Sequence, residues 1–564
     1  MSQSVVTHPP YRLTSLVGVG LGALQTVRAA RLADVDHVRE HAGRMQLRQL
    51  RWLLHRASAT EFGQEHMFGK AVGLAGREML RAYRDLVPIA DWYAFKDQIA
   101  RMREDAEPDV LWPGLVRDFC QTSGTTAGDK FIPVTEEMKK SNFKAARDIF
   151  THAMNFGISL PGIMGGKCLF LGGSTAMTVS DKGVRTGDLS GIAATQIHWP
   201  LSRIYSPGSG IALMDNWTDK IDAMARHTID QDVRMVSGMP SWMLVLIERL
   251  FEVARERGQY VSTLKEIWPN FQLFVHGGVK YGPFDARMRQ MWSGGTEDIP
   301  YRLELYPASE GFVAIQDQAH DPGMRLLTDH RNMFEFVPLE DIDRPDAPAF
   351  LCDEVEKGQK YVVVLSTCAG LWRYVLGDVV EFDTVPSLYE GNRLVRSGDG
   401  PPRVRVVGRH RHFINAFGEN IIAEHIENAV ERAARVLAVE VGEFTAAPVY
   451  SAQRRKAGLE LILEIEQASA VQLEHFADEF DKAIKSQNVD YTTKRKSDLS
   501  MGPPIVTPVR MGAFHAWMAS KGKLGGQHKC PRCANHRDIA DEVRTIAGIG
   551  AMDSNSVQLE LVAR

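Results

Sequence analysis

The chain has 564 residues, 44% of them hydrophobic and 24% charged, with 66 lysines and arginines against 70 acidic residues and a formal net charge of −4. That is ordinary globular composition, long enough for large buried cores and up to about four domains. The near-balance of charge argues against a protein whose main partner is nucleic acid or an anionic membrane. The six cysteines, at 120, 168, 352, 368, 530 and 533, are too few for a disulfide scaffold, so a reducing cytoplasm is the expected compartment.

In chain order, Leu13 to Leu24 is apolar but glycine-rich and shorter than the roughly 20 residues of a spanning helix. With no small-residue cleavage site after it, it reads as a buried or fraying helix. Residues from about 25 to 105 read as helices, with Arg48, Arg51 and Arg56 interleaved among Leu50, Leu53 and Leu54. From about 115 to 385, short apolar runs end in small residues: Cys168 to Leu171, Phe271 to Val275 and Tyr361 to Leu365. Helical stretches such as Met243 to Val253 separate them, which predicts an α/β domain with its ligand site at the strand ends.

A turn-rich stretch, Ser397 to Pro402, predicts a hinge near residue 400. The expected organisation is a large α/β domain over 1–400 and a smaller α+β lid over 401–564. In the latter, Ile426, Ala429, Val430, Ala433 and Leu437 keep helical spacing. Leu459, Leu461, Leu463 and Ile465 alternate with Glu460, Glu464 and Glu466 as in a half-exposed strand.

Three segments carry chemistry. Thr122, Ser123, Gly124, Thr125, Thr126, Ala127, Gly128, Asp129 and Lys130 pack hydroxyls and glycines so that amides and side-chain donors converge on an anion, with a lysine to offset charge. It is not a Walker loop, whose glycine spacing differs and whose lysine precedes Ser or Thr rather than Phe131. An exposed Ser/Thr/Gly turn has the same composition. Tyr306, Pro307, Ala308, Ser309, Glu310 and Gly311 place a carboxylate beside a hydroxyl in a loop, suited to Mg²⁺ and a phosphate oxygen; a helix cap looks much the same. Arg373 to Val380 presents Asp378 on a tight turn between apolar runs, able to accept hydrogen bonds from ribose hydroxyls or simply to close a hairpin.

The order and approximate spacing of these segments resemble the adenylate-forming ligase superfamily, and within it the Gretchen-Hagen-three, auxin-responsive family of acyl-acid amido synthetases. Ala59 to Gly63, Lys130 to Thr135, Phe334-Glu335-Phe336 and Lys529 to Arg532 extend the resemblance from about residue 45 to 545. It implies a two-step reaction. A carboxylic acid and ATP give an acyl-adenylate and pyrophosphate; an amine, usually an amino acid, then displaces AMP to form an amide.

The same resemblance implies roles. Thr122, Ser123, Gly124, Thr125 and Thr126 would hold phosphate oxygens near Lys130, Ser309 would donate to phosphate, and Glu310 would hold Mg²⁺. Tyr306, Asp378 and Arg409 would meet the nucleoside, and Gly277 and Gly278 would form the turn against adenine. Lys529 would be the lid lysine that reaches the α-phosphate, with Lys529, Glu310 and Thr125 catalytic. Met239 and Trp242 resemble the start of the pocket-lining helix and would shape the acid site, although helical core reads the same way.

Some positions depart from the family. His410 stands where plant members tend to have lysine, and Arg411 where the superfamily often has an acidic or lysine hinge residue. These departures and the short Pro307-Ala308 insert look bacterial, so a plant-hormone substrate is not assumed. His528, Cys530, Cys533 and His536 invite a zinc assignment, although such close spacing strains a tetrahedral site. Two other functions compete: a thioester-forming ligase using coenzyme A or a carrier protein, and a non-catalytic nucleotide- or zinc-binding module. The identity of the acid and amine and the oligomeric state are not legible.

Overall fold

The computed structural model describes residues 11–122, 130–172, 177–194, 201–214, 217–278, 281–410, 413–414, 421–450, 457–466, 468–495, 501–521 and 530–549. Its first helices are Ser15–Ala33 and Val35–Ala57. They part at Asp34, whose carboxylate accepts from the His37 amide and satisfies an open donor of the second helix. Short helical segments follow over 61–105, within the stretch of about 25–105 expected to be helical.

The strands in chain order begin with β1 (Asp118–Thr122), β2 (Lys130–Pro133), β3 (Lys167–Leu171), β4 (Thr178–Val179), β5 (Arg185–Gly187), β6 (Tyr205–Ser206), β7 (Val233–Gly238) and β8 (Leu273–Gly277). Next come β9 (Tyr301–Ala308), β10 (Gly311–Gln316), β11 (Met324–Leu326), β12 (Asn332–Pro338), β13 (Lys360–Thr367), β14 (Tyr374–Thr384), β15 (Leu388–Glu390), β16 (Arg393–Arg396) and β17 (Arg403–Arg409). The last are β18 (Phe413–Ile414), β19 (Ile421–Ile422), β20 (Val441–Tyr450), β21 (Ala457–Ile465) and β22 (Ile505–Val509). An eleven-stranded sheet runs β12-β13-β14-β17-β11-β10-β9-β8-β7-β3-β6, a four-stranded sheet β2-β1-β5-β4, and a three-stranded sheet β20-β21-β22.

The large sheet has two halves. From β6 to β9 its strands are parallel, and helices cover both faces, which explains the unbroken apolar runs. Leu169, Val236 and Phe274 meet helices Trp217–Thr228, Pro240–Glu256 and Asp285–Ser293 on one face. Met235, Leu273 and Val275 meet Glu136–Asn155 and Leu160–Met164 on the other. From β9 to β12 the pairing is antiparallel and the sheet curls around Phe334, Phe336, Leu365 and Val380, closed by Leu50 and Leu53 of the N-terminal layer. The turn at Ser397 to Pro402 is followed directly by β17, which pairs with β14 and β11 inside this sheet.

The three-stranded sheet departs from expectation at β21. Its alternating glutamates predict one wet face, yet Glu460 and Glu464 are buried. Helices Ala423–Leu437 and Ala470–Gln487 cover one face, and Ala513–Ser520 and Asp538–Ile546 cover the other. The second layer brings Arg537 to 2.7 Å from Glu460, with Arg544 on its other oxygen, while Glu464 accepts from the Phe514 amide. Guanidinium pairing makes an acidic residue tolerable where the pattern alone assigns it to water.

Candidate active site

The β9–β10 hairpin closes with Ala308 opposite Gly311, leaving Ser309 and Glu310 at its tip. This is a loop, as the sequence suggests, and not a helix cap. Glu310 is only 9% exposed, and its Oε1 accepts a 3.1 Å hydrogen bond from the Tyr374 hydroxyl.

Asp378 corrects the sequence reading. It lies inside β14 rather than on a turn, in register with Arg409 of β17. The neighbouring Gly377 misleads because its φ of +91° is the conformation of a turn glycine; here it kinks a strand that carries on. The kink aims the Gly377 carbonyl at His410, whose amide donates to it at 3.0 Å. Asp378 Oδ2 accepts a 2.6 Å bond from the Tyr306 hydroxyl of β9. Between β9 and β14 lie β10, β11 and β17, so only the curl of the sheet brings these partners together. Both candidate carboxylates are thus buried and each is held by a tyrosine from across that curl.

A buried ion triad fixes the start of β14. Glu335 is fully buried and bridges Arg373 at 2.9 Å and Arg84 at 2.8 Å. Burial alone would raise the Glu335 carboxyl; Arg373 and Arg84 hold it below its ordinary value. Arg373 also donates to the Val87 carbonyl at 2.9 Å, and its amide donates to Ser366 Oγ at 3.1 Å. The family-like stretches Phe334 to Phe336 and Arg373 to Asp378 therefore meet as one scaffold.

Thr122 and Lys130 pair across the β1–β2 hairpin; Ser123, Gly124, Thr125 and Thr126 between them lie outside the described residues. Cys120 of β1, in the same hairpin, is buried. Its thiol is pushed up to about 12 by burial and is no nucleophile at neutral pH. Lys529 and Arg411 also fall outside the described residues.

Gly277 and Gly278 end β8 in a turn that requires them. A Cβ on Gly277 would lie 2.4 Å from the Leu305 carbonyl oxygen, and Gly278 has a φ of +83°. A Cβ on Gly278 would come within 3.2 Å of Met239 Sδ, so Met239, just before helix Pro240–Glu256, backs directly onto this turn. One turn along, Trp242 is half-buried, with Lys494 Nζ 5.0 Å from its ring centroid.

Family profiles match this chain along most of its length: the GH3 family N-terminal domain over residues 31–209 and 204–296, the central domain over 325–388, and the C-terminal domain over 424–538. The chain belongs to the GH3 family. Among curated GH3 proteins it is 22% identical over 579 residues to the indole-3-acetic acid-amido synthetase GH3.3 of Arabidopsis thaliana, covering 90% of this chain and 92% of that one. It is 21% identical to the jasmonoyl–L-amino acid synthetase JAR4 of Nicotiana attenuata, covering 90% and 94%. The GH3.15 acyl acid amido synthetase structure superposes with a TM-score of 0.54 at 17% identity, covering 92% of this chain and 95% of that chain, and shares the fold.

As a GH3 protein the chain is an adenylate-forming acid–amine ligase that draws on ATP. The zinc alternative is not supported by the geometry. Cys530 and Cys533 pack into the clusters on opposite faces of the β20–β22 sheet, because the segment runs extended beside β20 and residues three apart then point opposite ways. Burial pushes both thiols up to about 12. Among the described residues, no group of three or more His, Cys, Asp or Glu is placed to hold a metal, and no helix is long and apolar enough to cross a membrane.

Sequence reasoning missed Tyr374 as the partner of Glu310, Glu335 as the anchor of Arg373, and Lys494 over Trp242. A charged residue inside the apolar Phe334-Glu335-Phe336 run was the one usable signal, since a buried carboxylate requires a cation.

Proposed function

We propose that this GH3 ligase adenylates a small-molecule carboxylic acid with Mg²⁺ and ATP and passes the acyl group to an amino acid. An acid carboxylate oxygen bonds to the α-phosphorus as the bond to pyrophosphate breaks. The amine nitrogen then attacks the acyl carbon, AMP leaves, and the amine proton passes to solvent. Two anions must approach in the first step, so charge neutralisation is the main demand on the site.

Thr122, Ser123, Gly124, Thr125, Thr126 and Lys130 hold phosphate oxygens in this reading, with Ser309 donating beside them. Asp378 accepts from the ribose hydroxyls next to Tyr306 and Arg409, and the Gly277–Gly278 turn lies against adenine. Met239 and Trp242 border the acid. Glu310 suits Mg²⁺, which binds through one or two carboxylates plus substrate phosphates rather than in an all-protein cage. Mg²⁺ there supplies charge to the phosphate oxygens. Lys529, on the C-terminal lid, reaches the α-phosphate and later withdraws.

The observation that carries this reading is the burial of Glu310 and Asp378, with Tyr374 of β14 donating to Glu310 and Tyr306 of β9 donating to Asp378, so that each carboxylate is tied to the other's strand. Acid-dependent exchange of labelled pyrophosphate into ATP, across aromatic, fatty and hydroxy acids, tests it. Exchange with one class, followed by amide detected by mass spectrometry, is the expected result; thioester formed with coenzyme A would overturn the amine assignment. Glu310→Gln should raise the Mg²⁺ concentration for half-maximal exchange, and an unchanged titration removes Glu310 from the metal.

A further inference from the structure

Away from these strand ends, a cavity of about 30 Å³ lies between the start of helix Val35–Ala57 and β11, and its walls include Arg31, His37, His152, Arg325, Thr328 and Asp329. Arg325 is 5% exposed; its Nη2 donates to the Leu32 carbonyl at 2.7 Å and its Nε faces Asp317 at 2.9 Å. Its Nη1 finds no hydrogen-bond partner among the described residues, and neither does Nδ1 of His152, which is 1% exposed. The Thr328 hydroxyl meets the Met45 thioether at 3.4 Å, a weak acceptor. Buried donors left in this condition, as Arg325 Nη1 and the Thr328 hydroxyl are, call for an acceptor.

The carboxylate in the wall does not supply one. Asp329 is engaged by Arg28 at 2.7 Å, Lys144 at 3.1 Å and His330 at 3.0 Å. At the mouth, the exposed Arg31 adds positive charge and the half-buried His37 adds a ring nitrogen.

We propose that this cavity binds a small tetrahedral oxyanion, orthophosphate being the simplest, at a site separate from the nucleotide. Arg325 Nη1 and the Thr328 hydroxyl donate from the floor, and Arg31 and His37 hold the oxygens that remain at the mouth. The volume takes about two water molecules, which suits the inner oxygens of such an anion.

Thermal unfolding of the full chain in potassium phosphate, against potassium chloride at matched ionic strength, tests the site. The midpoint should rise saturably with phosphate. In Arg31→Ala/His37→Ala, both near the surface, the half-saturating concentration should increase at least tenfold. Arg48→Ala/His55→Ala, the same two residue types removed at exposed positions of helix Val35–Ala57, should keep the original curve. A general salting effect, or phosphate held in the nucleotide site, would move the wild type and the mouth variant alike. That equality would overturn the proposal, as would phosphate acting no better than chloride.

Discussion

The two halves of the large sheet handle polar groups in opposite ways. In the parallel half, β3, β7 and β8 are sandwiched by helices and fill both faces with residues such as Leu169, Val236 and Leu273. Its buried Arg234 is held at the start of β7 by Asp232 at 2.6 Å. The antiparallel half buries Glu310, Glu335, Arg373 and Asp378 along its curl, and Arg403 with Asp317 farther round. A parallel strand covered on both sides has no room for a reacting site except at its ends. A curled sheet has an inner surface, and there acids can be held by hydroxyls and guanidiniums already in place.

The largest expected effect comes from breaking the charge scaffold. Arg373→Ala should lower stability by about 3–5 kcal/mol, because it strands part of the charge of Glu335 in the interior. Denaturant unfolding measures this, and a loss below about 1 kcal/mol would erase the contrast between the halves.

Leu250→Ala in the helix layer over the parallel half should cost a similar or smaller amount, about 2–5 kcal/mol, through a cavity instead. Acid separates the two mechanisms. The folded-state value of Glu335 is depressed below its ordinary 4.5, so its contribution is present above that pH and fades as pH falls through the folded value. The deficit of Arg373→Ala relative to wild type should therefore shrink on acidification, while that of Leu250→Ala stays flat.

The smallest effect concerns the tyrosines. Tyr374→Phe and Tyr306→Phe should each cost about 1 kcal/mol or less in stability. Each should reduce kcat/KM for adenylation, Tyr374→Phe with an altered Mg²⁺ dependence and Tyr306→Phe with an altered ATP KM. Identical kinetic profiles for the two would blur the assignment of Glu310 and Asp378 to different parts of the nucleotide.

The candidate site was legible where its chemistry is local. Thr122 to Lys130, Ser309-Glu310 and Asp378 each show in a short stretch, because hydroxyls, glycines and single carboxylates between apolar runs are unusual company. Their partners were not legible. Tyr374 and Glu310 are 64 residues apart, Tyr306 and Asp378 72, and Arg373 and Glu335 38, and only the assembled sheet joins them. Gly377 was misread because a positive φ serves a kinked strand as well as a turn. Glu460 was misread because alternation reports charge, and charge reports exposure only until an arginine is supplied from another layer.

The extended segment at Cys530 to Ala534 has a consequence beyond the cysteines it carries. The Ala446 amide donates to the Arg532 carbonyl, and the Ala534 amide donates back to Ala446, both near 3 Å. Without that pairing, β20 would offer an open row of amides and carbonyls, the kind of border through which sheets of separate molecules fuse. The chain hems its own sheet with the residues that follow Lys529, so a truncation meant to remove that lysine would also unpick the seam and invite aggregation.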